Sequence, residues 1–485
     1  MKHLKTIGLG LSLALVFASC SKKDSATVST PLFQAGQTIT GDTLGGPLKG
    51  TMVTNKTYTI TSDVTVNKGD TLLIQQGVKL NILNGSSFIV HGTLLSLGTQ
   101  TNPITFTDPT KTKIPGSPSG PNYADSFNYK GGWGGIYCDS NVNNLVIKWT
   151  HLDFPGAGID VVPFPGVKIG AAYTIYFGSP SNNNATFVLE DSWIYGTPDD
   201  VIRCYGGNIY FVRNTVEKFG AKGGDGFNVK GNTQGVMAYN LFVGGATNAT
   251  KCASDGHVGR QCMIAMFNNT YINCGQRSQL ANKTGLKGGC IEVENNSRAL
   301  VYNNLIVNCR YGMRVAGGAG AKVFLADTLT NNDGAFITTT AYGNNYYYAD
   351  DSSMTNQFVP TNIAQPVVTY PQSTGTPNMA AFLGSSYTFG NAYDGSSLVG
   401  KNNPNFAAFT LPNSTWATQA SVDSYNFKLA SNSPALGAGT TFTLNTVGAN
   451  GYAAPIVDPN FGATKLVVAG KDMGAFQADG TGIQH

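Results

Sequence analysis

Five short segments of this 485-residue chain share one pattern: an apolar approach, an acidic or amide residue, and an apolar departure towards Gly. They read L-E-D-S-W-I-Y-G, V-R-N-T-V-E-K-F-G, A-Y-N-L-F-V-G-G, F-N-N-T-Y-I-N-C-G and Y-N-N-L-I-V-N-C-R-Y-G. Aligned, they superpose Asp191, Asn214, Asn240, Asn269 and Asn304 at intervals of 23, 26, 29 and 35 residues. One coil of a solenoid takes about two dozen residues, and surplus length becomes loop on one face. Asn suits the inner bend between two strands, because it tolerates left-handed backbone and bonds neighbouring backbone groups. Stacked Asn side chains also bond one another along an axis. Asn-rich turns of a β-sandwich are the competing explanation, and the fixed apolar flanks favour the coil.

Composition points the same way. Charged residues are only 12% of the chain and Gly numbers 60, which leaves little material for long amphipathic helices. Short Val, Ile, Phe and Tyr runs between Gly and Asn are strand-and-turn sequence.

Residues 64–82 read V-T-V-N-K-G-D-T-L-L-I-Q-Q-G-V-K-L-N-I; S-S-F-I-V-H-G-T-L-L-S-L-G, P-I-T-F-T and G-G-W-G-G-I-Y-C follow in order. Near the other end come Y-N-F-K-L-A-S-N-S-P-A-L-G-A-G-T at 425–440 and K-D-M-G-A-F-Q at 471–477. Together these resemble the pectin-lyase-like family of bacterial surface proteins. The resemblance implies an all-β fold, a right-handed parallel β-helix with an irregular C-terminal cap. The coil is expected over residues 48–325, with its continuation and the cap over 326–485. A solenoid must cover its ends, and one scaffold hosts many functions.

The first residues carry their own expectation. Lys2, His3 and Lys5 precede an apolar run from Ile7 to Ala18, shorter than the roughly 20 residues of a membrane span. This reads as a removed signal peptide over residues 1–19. Small Ala18 and Ser19 before Cys20 resemble a bacterial lipobox, which implies lipidation of Cys20. Residues 20–47 are then a flexible tether. The expected location is the cell envelope, as an outer-membrane lipoprotein whose leaflet stays open. The leader holds two of the lysines, so the formal charge of +4 falls to about +2. No basic face marks a nucleic-acid partner, and a monomer is expected.

Seven further Cys contain no C-x-x-C pair. Cys252 and Cys262 could close a loop, or the thiols are small core residues.

The strands T-I-Y-F, V-I-R-C, F-N-V-K, C-I-E-V-E and G-M-R-V supply a candidate groove. If Ile175, Ile202, Phe227, Ile291 and Met313 point inward, then Tyr176, Arg203, Asn228, Glu292 and Arg314 form an outward row. Lys230 and Glu294 stand beside it. Such a row suits an extended polysaccharide, with Tyr176, Arg203, Lys230 and Arg260 as contacts. The loop T-K-C-A-S-D-G-H-V-G-R adds His257, a general base or a loop residue without a role. Asp199 and Asp200 are a carboxylate pair or a turn. Some β-helix lyases bind Ca²⁺ through an Asn and an E-x-E pair, and that resemblance implies Asn228, Glu292 and Glu294 as oxygen ligands, with Arg314 nearby. The departures are a long intervening segment and an Arg, a poor proton acceptor, where a base should be. Binding without turnover, a Ca²⁺-dependent uronate lyase and a structural or adhesive role therefore stand as alternatives. Trp149 and Trp193 read as core, and Tyr346, Tyr347 and Tyr348 as an exposed platform or a packed cap.

Overall fold

The computed structural model describes residues 35–113, 128–178, 184–221, 223–254, 262–275, 290–294, 297–309, 312–316, 341–348, 403–409, 426–440 and 457–485. Asp255, His257, Arg260, Cys20 and the expected leader lie outside them, and for Arg314 only the strand position is described. The described residues contain no α-helix. Their strands form a parallel β-helix. One face carries ten parallel strands, from Gly50–Met52 to Ala341–Gly343. A nineteen-strand sheet supplies two further columns, joined by the long strand Thr57–Val66. The first half of that strand pairs with Lys79–Ile82 and its second half with Ser87–Val90. In each regular coil the chain runs along the first face, bends into the second, loops into the third, and returns.

Alternation decides what fills the interior. Ile175, Ile202, Phe227, Ile291 and Met313 all point inward and are fully buried, as expected. Their aromatic neighbours run on from coil to coil. Phe187 meets Phe211 at 4.6 Å between ring centroids, Phe227 meets Phe242 at 4.9 Å, and Phe242 stacks on Tyr271 at 5.3 Å.

The bend between the first and second faces is built from two residues. The first takes positive φ: Trp149, Asp191, Arg213, Tyr239, Asn268, Asn303 and Asn344. Outside Asn and Asp, this conformation costs about 1 kcal/mol or more per residue. The second residue turns its side chain inward, and there the amides form a ladder. Asn214 Nδ2 donates to Asn240 Oδ1 at 2.9 Å, Asn240 to Asn269 at 2.9 Å, Asn269 to Asn304 at 3.0 Å, and Asn304 to Asn345 at 2.9 Å. Each Oδ1 also accepts the backbone N–H of the residue one coil below. Each Nδ2 also donates to a first-face carbonyl, of Leu189, Phe211, Met237, Met266 and Val301 in turn. The ladder corrects the alignment by one residue: Trp193 pairs with Thr215, so Ser192 holds the slot and Asp191 does not. Ser192 N–H donates to Asn214 Oδ1 at 3.0 Å. Asp191 instead points outward, where Arg213 Nε reaches its Oδ1 at 2.6 Å. Thr150 and Ser96 carry the column further with hydroxyls, 2.8 Å apart.

The C-terminal residues lie along the side of the coil. From Leu241 to Tyr348 the outward residues of the second face are apolar apart from Thr270, and Phe409, Phe427, Ala435, Met473, Ala475, Phe476 and Ile483 pack on them. The strap is pinned by polar contacts down the bend. Asn303 Nδ2 donates to Thr440 O at 2.8 Å, and Asn268 Nδ2 to Asp472 O at 2.8 Å. Tyr239 and Tyr210 donate to the Val468 and Lys465 carbonyls, Thr464 Oγ1 to Glu190 at 2.8 Å, and Lys148 to Pro459 O at 2.9 Å. The D-x-G-A-F signature thereby gains a physical reason. Asp472 accepts the N–H groups of Gly437 and Ala478, each at 2.7 Å. Gly474, at φ 84°, lies flat against Thr270 and Leu305.

One expectation changes here, and two open alternatives are decided. Tyr347 is core and Tyr346 and Tyr348 lie under the strap, so the tyrosine run is no exposed platform. Trp149 and Trp193 lie outside the core, because the bend turns both outward. There they meet His485, and Trp193 stacks on His151 at 4.1 Å. The seven described cysteines are buried and form no disulfide, so the core-residue alternative holds and Cys252 and Cys262 are not bridged.

A Cβ at Gly474 would stand 2.5 Å from Thr270 Oγ1 and 2.9 Å from Leu305 Cβ. Gly474→Val is expected to destabilise the fold by about 2–4 kcal/mol and to expose the apolar second face. The reading is a lowered urea midpoint with new binding of a hydrophobic dye; parental stability and no dye binding would contradict the strap's role.

Candidate functional site

The third face carries the candidate site, and its strand register fixes the outward row. Tyr137 pairs with Tyr176, Tyr176 with Arg203, Arg203 with Asn228, Asn228 with Lys251, Lys251 with Glu292, and Glu292 with Arg314. The sequence row is therefore real, with Tyr137 added at its start and Lys251 within it. Lys251 belongs to an intervening coil, the strand Thr250–Ala253, and separates Asn228 from Glu292. The same coil places Ala253 between Lys230 and Glu294.

A second row runs parallel, two residues before each strand's first inward residue. It holds Tyr173, Asp200, Asp225 and Asn248, before Ile175, Ile202, Phe227 and Thr250. Parallel backbone bonds stack it: Val201 N–H donates to Asp225 O, and Gly226 N–H to Asn248 O.

The two rows form one connected network. Arg203 Nε lies 2.6 Å from Asp200 Oδ2. Asn228 Nδ2 bridges Asp200 and Asp225, at 3.1 Å to each. Asp200 Oδ1 also accepts the Asp225 N–H at 2.6 Å. Asn248 Nδ2 donates to Asp225 Oδ1 at 2.9 Å and to Glu292. Lys251 Nζ closes the chain, 2.6 Å from Glu294, 3.6 Å from Glu292 and 3.9 Å from Asp225. Asn228 Oδ1 is buried and accepts no hydrogen bond.

Burial and charge set the protonation of these groups. Burial pushes the Asp200 carboxyl up to about 7, with Asp225 and Asp199 adding to the rise and Arg203 opposing it. Burial also acts to raise Glu294, but the Lys251 charge, a hydrogen bond shared with Glu292 and the one donated by Lys251 outweigh it and hold Glu294 at about 2. Burial disfavours the Lys251 ammonium, yet Glu292, Asp225 and Glu294 together raise its pKa above the usual lysine value.

Only part of the network is reachable. Asp200, Asn228, Lys230 and Glu292 are buried, whereas Tyr173, Arg203, Tyr205, Lys251 and Glu294 are half-buried. The Arg203 guanidinium lies over the Tyr173 ring at 5.5 Å, and its Nη1 is 3.5 Å from the Tyr205 hydroxyl. Tyr176 is a different case. Ile159, Val167 and Ala171 pack over it and Tyr137, with Phe164 alongside, so it forms the foot of a covering loop.

The oxygens implied for Ca²⁺ do not fit a metal cage. The Lys251 ammonium stands between Glu292, Glu294 and Asp225, where a cation would be needed. Among the described residues no group of three His, Cys, Asp or Glu is arranged to hold a metal ion.

Lys251, Asp225, Asn248, Tyr173 and Tyr205 escaped the sequence reading. Asp225 lies just ahead of the recognised strand F-N-V-K, whereas the strand of the Asn248 coil hides in N-A-T-K, where Thr250 replaces the expected large inward residue. The recurrence of an Asp or Asn two residues before each strand, as in D-V-I-R and D-G-F-N, was the available signal. Comparison with family models, with curated proteins and with solved structures returns no match.

The Asp200 shift has a signed consequence. Its carboxyl holds a proton in the fold up to about pH 7 but releases it near its ordinary value of 3.8 when unfolded. The stability it lends is complete below about pH 4 and is lost as pH rises to about 7. Asp200→Asn removes this titration, so the stability gap between parent and variant is expected to shift between pH 4 and 7.5. Urea midpoints at both pH values measure it; a gap that stays constant would contradict the buried, protonated carboxyl.

Proposed function

We propose that this chain is a pectin-lyase-like envelope protein, anchored through Cys20, that binds a polysaccharide along the third face without turning it over. The observation that supports this reading most is the pairing of charges within an exposed-edged row. Arg203 is matched by Asp200, and Lys251 by Glu292, Glu294 and Asp225. Asp225, Glu292 and Glu294 face Arg203, Lys251 and Lys230, so even with Asp200 protonated these cations are matched and no surplus positive charge among them draws a polyanion. Planar amides, carboxylates and a guanidinium beside half-buried Tyr173 and Tyr205 suit sugar hydroxyls and sugar faces instead. The favoured ligand is a neutral glycan rather than the acidic polymer a lyase would need.

A Ca²⁺-dependent uronate lyase built on Asn228, Glu292, Glu294, Arg314 and His257 is the rival. Lys251 is the observation against it, since the carboxylates already hold their cation. An adhesive role is the default should no glycan bind.

The test is a broad glycan array read with the parent protein, Arg203→Ala and Tyr173→Ala. Retention of neutral glycans by the parent is expected, with at least about tenfold weaker binding in each variant, a loss of about 1.4 kcal/mol. Cleavage of a uronate polymer, seen as growing ultraviolet absorbance of an unsaturated product and stopped by a chelator, would establish the lyase and overturn the proposal.

A further inference from the structure

We propose that the site is closed at one end and takes the end of a glycan chain rather than its middle. This rests on the glycan-binding reading above. The loop from Gly156 to Tyr173 crosses the third face. Gly170 N–H donates to Ile159 O at 2.8 Å, which closes the loop on itself. Its inner residues Ile159, Val167 and Ala171 bury Ile89, Tyr137 and Tyr176. Phe164 meets the His91 ring at 6.1 Å and the Tyr176 ring at 5.9 Å. The Tyr137 hydroxyl donates to Ala171 O at 3.1 Å and ties the loop to the coil beneath. Gly166 is required by this packing: at φ 100°, a Cβ there would stand 2.9 Å from the Tyr176 hydroxyl. At the other foot, a Cβ on Gly156 would stand 2.7 Å from Pro198 Cδ.

The loop is thus a wall, and Tyr173 stands at its base. On the far side of Tyr173 the polar row begins with Arg203 and Asp200 and continues axially through Asn228, Lys251 and Glu292. On the near side the outward row is Tyr176, Tyr137 and Ile89, all buried and offering a chain no polar path. A polymer lying on the row meets the wall at Tyr173 and must stop there. Its terminal sugar falls beside Tyr173, Tyr205 and Arg203, which are half-buried.

The experiment uses the intact protein and neutral α-glucan, β-glucan, xylan and mannan fractions of about 10 and about 100 units. At equal sugar mass the shorter chains carry about ten times more ends. An end-binding site therefore saturates at about tenfold less mass of the short fraction, a ratio equivalent to about 1.4 kcal/mol. Arg203→Ala is expected to abolish binding of both fractions. Equal saturation by mass for the two lengths would overturn the closed end while leaving glycan binding intact. Binding that survives Arg203→Ala would place the glycan elsewhere and overturn the proposal, and no binding of any fraction would remove the reading on which it rests.

Discussion

A carboxamide both donates and accepts, and the fold depends on that property at one column of positions. The inner bend of each coil leaves backbone N–H and C=O groups inside a dry stack, where an unpaired group costs about 1–3 kcal/mol. Asn214, Asn240, Asn269, Asn304 and Asn345 satisfy these groups and pass the pattern to the next coil. The ladder also compensates for positive φ at Arg213 and Tyr239, residues that enter this conformation at a cost. Where the column changes to Ser192, Thr150 and Ser96, hydroxyls take over the same bonding at shorter reach.

Once the bend is fixed, alternation assigns every other side chain. Inward positions of all three faces make one apolar core. Outward positions differ by face, and each is answered differently. The apolar second face is covered by the C-terminal strap. The aromatic start of the third face is covered by the loop that carries Phe164. The rest of that face holds charged groups in compensating pairs. Buried ion pairs add little net stability, so the concentration of Asp200, Asp225, Asn228, Lys251 and Glu292 on one face is what the proposed glycan reading would account for.

Much of this was legible in the sequence, for reasons particular residues make plain. The Asn repeat and the inward set Ile175, Ile202, Phe227, Ile291 and Met313 follow from periodicity alone. The ladder register was missed by one residue at Asp191, because an acidic side chain beside Ser192 mimics the amide while pointing outward to Arg213. The Lys251 coil was missed because Thr250 lacks an apolar signature. The strap was unreadable because its partners Leu241, Ile272 and Leu305 lie more than a hundred residues away. Its signature announced a family habit without revealing a surface. The loop over Tyr176 depends on tertiary packing of Gly166 against that ring, which no local pattern encodes.

The most direct test of the axial ladder is a pair of double-mutant cycles on unfolding free energy. Asn240→Ala with Asn269→Ala removes adjacent rungs, whereas Asn214→Ala with Asn304→Ala removes rungs that share no bond. The ladder predicts a coupling of about 0.5–3 kcal/mol for the adjacent pair and additivity within about 0.5 kcal/mol for the separated pair. Additivity in both cycles would contradict it, because residues 29 positions apart in sequence would then not be neighbours in the fold.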